Sequence, residues 1–572
     1  MTTRRLDLIC IIAVFVSVLT AGCRKPCNAT TCSTGCCDSI GVCKGGTSAS
    51  ECGSGGTSCV ACGIGLCQAA VCVGTGGGTG GGAGGGIGGG TGGGTGGGTG
   101  GGNDDFVVGG RARHYLLANG STVDVPIDPV AAPLAVYTLT GTTFSPVTVS
   151  YGPDGGFSFP NPRADFYLRD ETTWLVTNVL SLDLGLYWPG RPGQVTHDGG
   201  ADPVLSVTAT GVSAWDPGDT LMFATDSVYE LGTLSANGAG PAAGVTTFSN
   251  EAFGYSSLFG TFGATLEAAK GDVGYLSQVR TFSLPPNDAG TFDSYAAVVA
   301  SGATGPLDVA PGGTPSVNVT MTPASMRTIS VDWRDSDWEA MTSETHPQAG
   351  YFRGFGAFVS VIAVPGGNLN RGWVGYTAEL LAATLNQDGA YSMSYGNPRA
   401  EWGEIANVSA PYFVTIQLPG ATQGRQAAYA STWGAPSALF ATPLTPSMRP
   451  PRALLIDGVG AQSAPLQLTG PTPLVSWTSP SSGSPTFYTV RLRELIIDAA
   501  TNRTRTRSAG RIVTTRTSVR LPPTLLKAGT SYVLVVEAWR DSGGSFSPGS
   551  APHYSGSVGA SAPALSSQFS VP

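Results

Sequence analysis

Cysteine is the residue type whose spacing in this chain predicts the clearest chemistry. All 12 cysteines lie within the first 72 residues, and none follows. An even number of closely spaced cysteines in an exported protein predicts a disulfide-linked segment, although the connectivity does not follow from the sequence. Ten candidates for such bonds come after Cys23, at Cys27, Cys32, Cys36, Cys37, Cys43, Cys52, Cys59, Cys62, Cys67 and Cys72.

Cys59 and Cys62 have the C-x-x-C spacing that also occurs in zinc sites and redox proteins. No histidine lies in this part of the chain. A segment as short as residues 23–73 cannot build a stable core, whereas each disulfide contributes about 2–4 kcal/mol. We therefore expect structural disulfides here, with zinc binding as the alternative.

The rest of the chain offers few residues that could form a catalytic site. The four histidines are widely separated, at positions 114, 197, 346 and 553. There is no H-E-x-x-H pair, no G-x-S-x-G motif, no phosphate-binding loop and no dinucleotide fingerprint. We expect no catalytic residue, cofactor or metal. Paired carboxylates of a glycoside hydrolase stay open within residues 104–450, because their separation is a three-dimensional property.

An acidic segment with two tryptophans, residues 332–339, is a candidate glycan site. Trp333 and Trp338 could stack on sugar rings, and the carboxylates between them could bind calcium. The segment lacks the spacing and the turning glycine of an EF-hand loop, however. The alternative is a strand end followed by a solvated acidic loop, with one or both tryptophans packed inside.

Three arginines alternate along a predicted strand near the C-terminus. Arg503, Arg505 and Arg507 would share one strand face, because side chains alternate with a period of two. A row of guanidinium groups suits phosphate or carboxylate groups, so this stripe is a candidate anion or glycan site. The alternative is a solvated hairpin in which arginine keeps an exposed edge from pairing.

The N-terminus has the pattern of an export signal. Arg4 and Arg5 precede an apolar run, and small residues precede Cys23. We therefore expect a signal peptide over residues 1–22. The segment L-T-A-G-C at residues 19–23 resembles the lipobox of bacterial lipoproteins. That resemblance implies acylation of Cys23, and Arg24 after it favours the outer membrane or cell surface.

The disulfide-rich segment, residues 23–73, contains two cysteine motifs. The pattern C-x4-C-x3-C-C-D-x2-G-x-C spans residues 27–43, and C-G-x-G-G-x2-C-x2-C-G-x-G-x-C spans residues 52–67. This stretch resembles the N-terminal segment of many myxobacterial surface lipoproteins. The resemblance implies a position between a lipid anchor and extracellular modules, and it implies no activity.

Residues 74–103 form a glycine-rich linker built from G-G-G-T-like units. Such a segment buries almost no apolar surface, so it is expected to stay disordered. As a flexible coil it would span roughly 30 Å, and fully extended about 100 Å. We interpret it as a tether between the anchored base and the body of the protein.

Residues 104–450 have strand patterns almost throughout. Short alternating segments between Gly and Pro turns predict antiparallel β-sandwiches or barrels, divided into modules at 104–200, 201–325 and 326–450. Two stretches, 257–270 and 373–385, are predicted to be crossover helices. The motif D-G-G-F-S-F with N-P-R-A after it, at residues 154–164, resembles transthyretin-like sandwiches and returns in altered form at 388–400.

Residues 451–572 have the strand motifs of a further sandwich. The segments L-V-S-W at 474–477 and F-Y-T-V-R-L at 487–492, together with residues 521–538, resemble the B and C strands, tyrosine corner and F strand of fibronectin type III domains. The resemblance implies a fold rather than a function. It places four inward-facing side chains opposite Trp477, namely those of Tyr532, Leu534, Val536 and Ala538.

These features together predict a mainly β protein: tandem antiparallel β-sandwich domains after a disulfide-rich N-terminal segment and a disordered Gly-rich linker. The net charge of −8 gives no basis for binding nucleic acid. We predict a non-enzymatic, lipid-anchored surface protein for adhesion or ligand binding, with a membrane and an extracellular polysaccharide or surface protein as partners. The alternatives are a carbohydrate-active enzyme and a structural subunit of an envelope complex.

Overall fold

The computed structural model describes residues 105 to 571, except for 118–120, 153–154, 197–200, 226, 229, 258–262, 287–291, 352–356, 365–378 and 542–558. Before residue 105 it describes only short pieces between residues 32 and 73. The predicted signal peptide, Cys23, Cys27, Cys62 and the glycine-rich linker therefore lie outside the described residues. The described residues from 105 to 571 belong to one compact unit, and the described pieces between residues 32 and 73 belong to another.

Strand makes up 57% of the structure and helix 4%, which confirms the predicted mainly β class. In the N-terminal segment Cys32 bonds to Cys43, and Cys36 bonds to Cys59. Cys37 is also disulfide-bonded. The predicted cross-linked segment is thus confirmed for these five cysteines. Its short strands are β1 (Cys36–Cys37), β2 (Cys43–Lys44), β3 (Thr47–Ser48), β4 (Glu51–Cys52), β5 (Leu66–Gln68) and β6 (Val71–Val73).

The body begins with short antiparallel and parallel pairings around an aromatic core. Phe157, Phe159 and Phe166 are buried there, and the positions that flank Phe157 on its strand are only partly buried. This alternation follows from the period-two pattern of the sequence. The strands are β7 (Phe106–Gly110), β8 (Ala112–Leu116), β9 (Thr122–Pro126), β10 (Ala135–Thr140), β11 (Thr143–Val147), β12 (Ser150–Tyr151), β13 (Gly156–Pro160), β14 (Phe166–Asp170), β15 (Thr173–Thr177), β16 (Ser181–Asp183), β17 (Leu186–Pro189) and β18 (Val195–Thr196).

The next nine strands include seven that close into a ring. They are β19 (Val204–Thr210), β20 (Thr220–Thr225), β21 (Glu230–Ala236), β22 (Thr247–Ser257), β23 (Ala264–Thr265), β24 (Val273–Pro286), β25 (Phe292–Pro306), β26 (Ser316–Thr320) and β27 (Thr322–Pro323). Pairings run from β19 through β22, β21, β20, β24, β25 and β26 back to β19. The ring interior is filled by apolar side chains such as Leu205, Phe223 and Leu276, all at 0% exposure.

The third part of the body contains the helices. Among the described residues they are α1 (Asp335–Ala340), α2 (Thr342–Thr345) and α3 (Pro436–Leu439), and a 3-10 turn occurs earlier at Ala268–Lys270. The strands are β28 (Arg327–Trp333), β29 (Gly350–Tyr351), β30 (Ala357–Val364), β31 (Leu381–Leu385), β32 (Gly389–Tyr395), β33 (Gly403–Ile416) and β34 (Gly424–Gly434). Among the described residues, no helix has the length and hydrophobicity needed to span a bilayer.

The C-terminal strands form a two-sheet sandwich. They are β35 (Arg452–Ile456), β36 (Val459–Gly460), β37 (Leu466–Gln467), β38 (Leu474–Thr478), β39 (Phe487–Asp498), β40 (Arg503–Thr514), β41 (Ser518–Arg520), β42 (Ser531–Asp541), β43 (Gly559–Leu565) and β44 (Phe569–Ser570). One sheet has the order β36-β35-β38-β41, and the other has the order β40-β39-β42-β43. Trp477 and Tyr532 lie in the same core with Leu534, Val536 and Ala538, as the strand motifs predicted.

Strand pairing continues across the predicted module boundaries. β25 pairs with β31, β34 pairs with β43, and β15 pairs in parallel with β40. Both edges of the C-terminal sheet β40-β39-β42-β43 are therefore joined to earlier parts of the chain. A protected edge removes the unpaired N–H and C=O groups that promote aggregation.

Both predicted crossover helices are wrong over their described residues. In the stretch 257–270, β22 ends at Ser257, a two-residue strand follows, and only the 3-10 turn is helical. In the stretch 373–385, residues 381–385 are strand β31, where Leu381, Ala383 and Leu385 are buried and alternate with less buried positions. Residues 381–385 pair with β25 and β30 in the large sheet, and residues 264–265 pair with β18 in a separate two-stranded sheet.

Candidate functional site

Arg503, Arg505 and Arg507 are exposed on β40, as the sequence predicted. Each has a partner in the structure, however. Arg505 Nε lies 2.7 Å from Asp498, and Arg507 lies 2.6 Å from Glu494. Arg503 Nε donates to the Gln423 carbonyl at 3.1 Å. Carboxylates on the neighbouring strand therefore compensate much of the charge of this stripe, and its role in anion binding stays a prediction.

A second pair of arginines lies on the opposite face of the same sheet. Arg491 and Arg493 alternate with Val490 and Leu492, which point into the sandwich core. Because side chains alternate along a strand, the two guanidinium groups share the face away from that core. A carboxylate of Glu537 lies 3.0 Å from Arg491. We call the group formed by Arg491, Arg493 and Glu537 the arginine recess.

The arginine recess contains polar atoms without partners. The Nε atoms of both Arg491 and Arg493 are buried and make no hydrogen bond. The Arg491 side chain is nevertheless 29% exposed, so part of its guanidinium remains open to solvent. Nε and a neighbouring Nη form the edge of a guanidinium that binds a carboxylate or phosphate with two hydrogen bonds. The recess therefore has the donors needed for an anionic group.

The charge balance of the recess also favours an anion. Burial lowers the pKa of Arg493, and the nearby Arg491 guanidinium lowers it further, while Glu537 acts in the opposite direction. Arginine stays protonated in proteins, so the lowered pKa reports unfavourable positive charge rather than neutralisation. Val533 and Val535 occupy the paired positions on β42, and this apolar surrounding strengthens electrostatic attraction.

Sequence reasoning missed the arginine recess although a signal was present. The segment R-L-R at residues 491–493 interrupts an otherwise apolar strand with two charges at period two. That pattern predicts a face that is polar and distinct from the core. The pattern does not predict that this face packs partly against other strands of the body. This packing shields the two Nε atoms from solvent.

Trp333 and Trp338 are not available for stacking on a sugar, and this prediction is corrected. Both are buried, at 0% and 1% exposure, and their rings stack with centroids 5.5 Å apart. Trp338 Nε1 donates to the Leu444 carbonyl at 2.9 Å. The acidic residues between them form helix α1 rather than a loop, so the two rings meet on the buried side of a strand-to-helix turn.

Most buried carboxylates among the described residues of the body accept hydrogen bonds or pair with arginines, whereas the Oε1 of Glu379 makes no hydrogen bond and burial raises the pKa of Glu379 to about 8. Glu230 accepts from Tyr255, from Ser257 and from the Gly263 N–H, and burial raises its pKa while these donors oppose the rise. These hydrogen bonds join Glu230 on β21 to Tyr255 and Ser257 on β22. Glu230 therefore has a structural role and gives no support to the enzyme alternative. Four further buried carboxylates have partners: Asp170 pairs with Arg111, Asp219 with Arg280, Asp272 with Arg191, and Asp335 accepts from Tyr351.

Among the residues that the structure describes, no group of three or more His, Cys, Asp or Glu side chains is placed to hold a metal ion. The comparisons with known proteins name no family. No protein-family model and no curated protein matches the chain.

Several solved structures are distantly similar. The chicken CNTN1 FN1-FN3 domains share 12% identity over 66% of this chain and 98% of that chain, with a TM-score of 0.12. The alpha-2-macroglobulin of E. coli shares 11% identity over 82% of this chain and 28% of that one, with a TM-score of 0.13. The pilus adhesin SpaC from Lactobacillus rhamnosus GG shares 8% identity over 62% of this chain and 41% of that chain, with a TM-score of 0.12. At these TM-scores the similarity identifies neither a family nor a function.

Proposed function

We propose that the protein is a lipid-anchored, non-enzymatic surface protein that binds an acidic polysaccharide through the arginine recess. The observation that carries the binding proposal is the pair of buried, partnerless Nε atoms on Arg491 and Arg493. Two guanidinium groups share one carboxylate there, so a second anion would complete the charge balance. Uronic acid groups have the planar carboxylate that a guanidinium edge accepts.

The anchoring part of the proposal is supported by the order of the N-terminal segments. The L-T-A-G-C motif ends at Cys23, the disulfide-bonded segment follows it, and the glycine-rich linker follows that segment. Three acyl chains on one cysteine would exceed the roughly two hydrophobic signals that stable anchoring needs. The linker would then let the body search for ligand around a fixed point on the membrane.

The binding proposal is tested with detergent-solubilised full-length protein and polygalacturonate, a polymer of uronic acids. Affinity is measured at 50 and 200 mM salt, with neutral dextran as the reference polymer. The variant Arg491→Gln/Arg493→Gln should bind at least tenfold more weakly and should lose most of the salt dependence. Its thermal midpoint is recorded in parallel, so that loss of binding is separated from loss of fold.

A matched variant, Arg503→Gln/Arg505→Gln/Arg507→Gln, removes the arginine stripe that the sequence analysis favoured. It should keep affinity within about threefold, because two of its members are already paired with carboxylates. If this triple variant loses binding and the recess variant keeps it, the site is the stripe and the proposal for the recess is wrong. If neither variant changes a measurable affinity, arginine recognition is wrong altogether.

The anchor is tested by feeding expressing cells an alkyne fatty-acid analogue. The wild-type protein should carry the label and fractionate with membranes, and Cys23→Ala should do neither. A Cys27→Ala variant controls for general effects of losing one cysteine and should keep its label. Equal labelling of Cys23→Ala and wild type would contradict lipidation at Cys23.

A further inference from the structure

A group of polar side chains lies buried on one face of the sheet formed by β30, β33 and β34. Asn407 on β33 is paired with Ser360 on β30 and with Trp433 on β34. Directly opposite residues of an antiparallel sheet point to the same side, with Cβ atoms about 4.5–5.5 Å apart. The hydroxyl, amide and indole groups of these three residues therefore stand in one row across three strands.

Four side-chain polar atoms in this row have no hydrogen-bond partner among the described residues. Asn407 and Ser360 are both at 0% exposure. The Oδ1 and Nδ2 atoms of Asn407, the Oγ of Ser360 and the Nε1 of Trp433 are all buried and make no hydrogen bond. Buried polar groups in folded proteins are almost always hydrogen-bonded. Four neighbouring atoms without hydrogen bonds therefore indicate that a bound molecule supplies the missing partners.

The next row along the same strands extends the polar face. Ser409 on β33 is paired with Ser431 on β34 and with Phe358 on β30. Ser409 and Ser431 are 3% and 5% exposed. The opposite face of these strands is apolar, with Val359, Val408 and Ala430 in the main core. The serines and the asparagine thus form a second, polar side of the sheet that is buried without being part of the hydrophobic core.

We infer that these two rows are a binding site for a neutral sugar. The amide of Asn407 offers two donors and an acceptor, the serine hydroxyls offer both, and Trp433 offers a donor. No charged side chain stands in either row, so the set matches hydroxyl groups rather than a carboxylate or an ammonium group. The rings of Phe358 and Trp433 supply the apolar surface that the C–H face of a sugar ring requires. Phe358 and Trp433 are the partly exposed members of the two rows.

This site is independent of the arginine recess, because it lies on different strands and selects neutral rather than anionic groups. It is tested by isothermal titration of the full chain with glucose, galactose, mannose and N-acetylglucosamine, and with glucuronate as the acidic control. At least one of the four neutral sugars should bind, and Asn407→Leu should weaken that binding at least tenfold. Asn318→Leu makes the same change at an exposed position of β26 and should leave binding unaltered.

A measurement of stability without sugar separates a ligand site from a set of structural waters. Leucine has nearly the shape of asparagine, so Asn407→Leu removes the partnerless amide without opening a cavity. The thermal midpoint of the sugar-free variant should equal or exceed that of wild type. A clearly lower midpoint would show that ordered waters satisfy the row and would overturn the proposal. Absence of binding by all four neutral sugars would overturn it as well.

Discussion

The backbone N–H of Lys527 donates a hydrogen bond of 2.9 Å to the hydroxyl oxygen of Tyr532. Tyr532 is completely buried, and its ring lies 5.8 Å from that of Phe569. The bond ties the turn before β42 to the start of that strand. The aromatic ring fills the sandwich core, and its hydroxyl accepts from a backbone donor of the turn that precedes the strand.

Replacing this hydroxyl should therefore weaken the fold. Tyr532→Phe keeps the ring but leaves the Lys527 N–H without an acceptor, so the free energy of unfolding should fall by about 1–3 kcal/mol. Urea denaturation at neutral pH measures the loss. Tyr488→Phe is the matched control, because the hydroxyl of Tyr488 bonds to the side chain of Ser479, which can turn to another partner. An equal loss in both variants would contradict a special role for the Tyr532 bond.

Trp338→Ala should act on stability and leave saccharide binding intact. Truncating a fully buried tryptophan costs about 3–5 kcal/mol, and here the Leu444 carbonyl also loses its donor. Thermal unfolding followed by circular dichroism measures the effect. Trp188→Ala, at a residue that is 38% exposed, should shift the midpoint far less. A Trp338→Ala protein of wild-type stability and reduced glycan affinity would restore the stacking hypothesis that burial rules against.

His346 should make stability depend on pH below neutrality. Its Nδ1 accepts from the Gln348 N–H at 2.9 Å, so the ring proton is on Nε2, beside Ser567. Burial lowers the pKa of His346 below its ordinary value of 6.5. The unfolded chain therefore binds a proton before the folded chain does, and stability present above pH 6.5 is lost as the pH falls towards the folded pKa.

The test compares thermal midpoints of wild type and His346→Gln from pH 8 to pH 5. The variant should lose part of this pH dependence. His114 provides a control of opposite sign: burial acts to lower its pKa, but Asp183 and Asp124 outweigh that effect and raise it. His114→Gln should therefore cost stability at pH 6 and less at pH 8. Identical pH profiles for all three proteins would contradict both assignments.

The ion pair of Arg111 with Asp170 should be costly to break. The two side chains are 2% and 1% exposed, and Arg111 also bonds to the Ala132 carbonyl. Asp170→Asn leaves a buried guanidinium without its counter-charge, so stability should fall by about 3–5 kcal/mol. Asp165→Asn breaks the exposed pair with Arg516 and should cost at most about 1 kcal/mol. Chemical denaturation of both variants measures the difference, and similar losses would contradict the distinction.

Local patterns in the sequence were sufficient to predict the fold of the C-terminal sandwich and the side chains in its core. The alternation in β42 places Tyr532, Leu534 and Val536 on one side, and a sandwich core needs that pattern. Turn chemistry was also readable: Asn161 and Asn397 each accept from the backbone N–H two residues later, at 2.8 and 2.9 Å. The echo between these two segments is thus a shared turn.

The environments of the two echoed turns could not be read from the motif. Arg163 is exposed and pairs with Asp105, whereas Arg399 is buried over the rings of Tyr275 and Trp402. The same N-P-R-A motif therefore serves a surface ion pair in one place and a buried cation–π stack in the other. Which outcome occurs depends on residues that arrive from distant strands.

Long-range pairing explains the remaining misses. The ring closed by β19 and β26 and the joint between β15 and β40 depend on strands that are far apart in the sequence, and no local pattern encodes them. The sheet face of the arginine recess is partly buried because Val533 and Val535 pack against Val414 and Ile416 of the distant strand β33. Period-two alternation assigns residues to faces, but it does not say which of two faces becomes buried.

The parallel pairing of Thr173 with Arg511 also sets an order of events for the newly made chain. Strand β15 emerges early, and its partner β40 is among the last segments to be synthesised. Until then the edge of β15 stands open with its N–H and C=O groups unpaired, which is a state prone to aggregation. Contacts between such distant segments form slowly. The first module therefore reaches its finished form only when the end of the chain arrives, so a chain truncated before residue 503 would leave that edge permanently open.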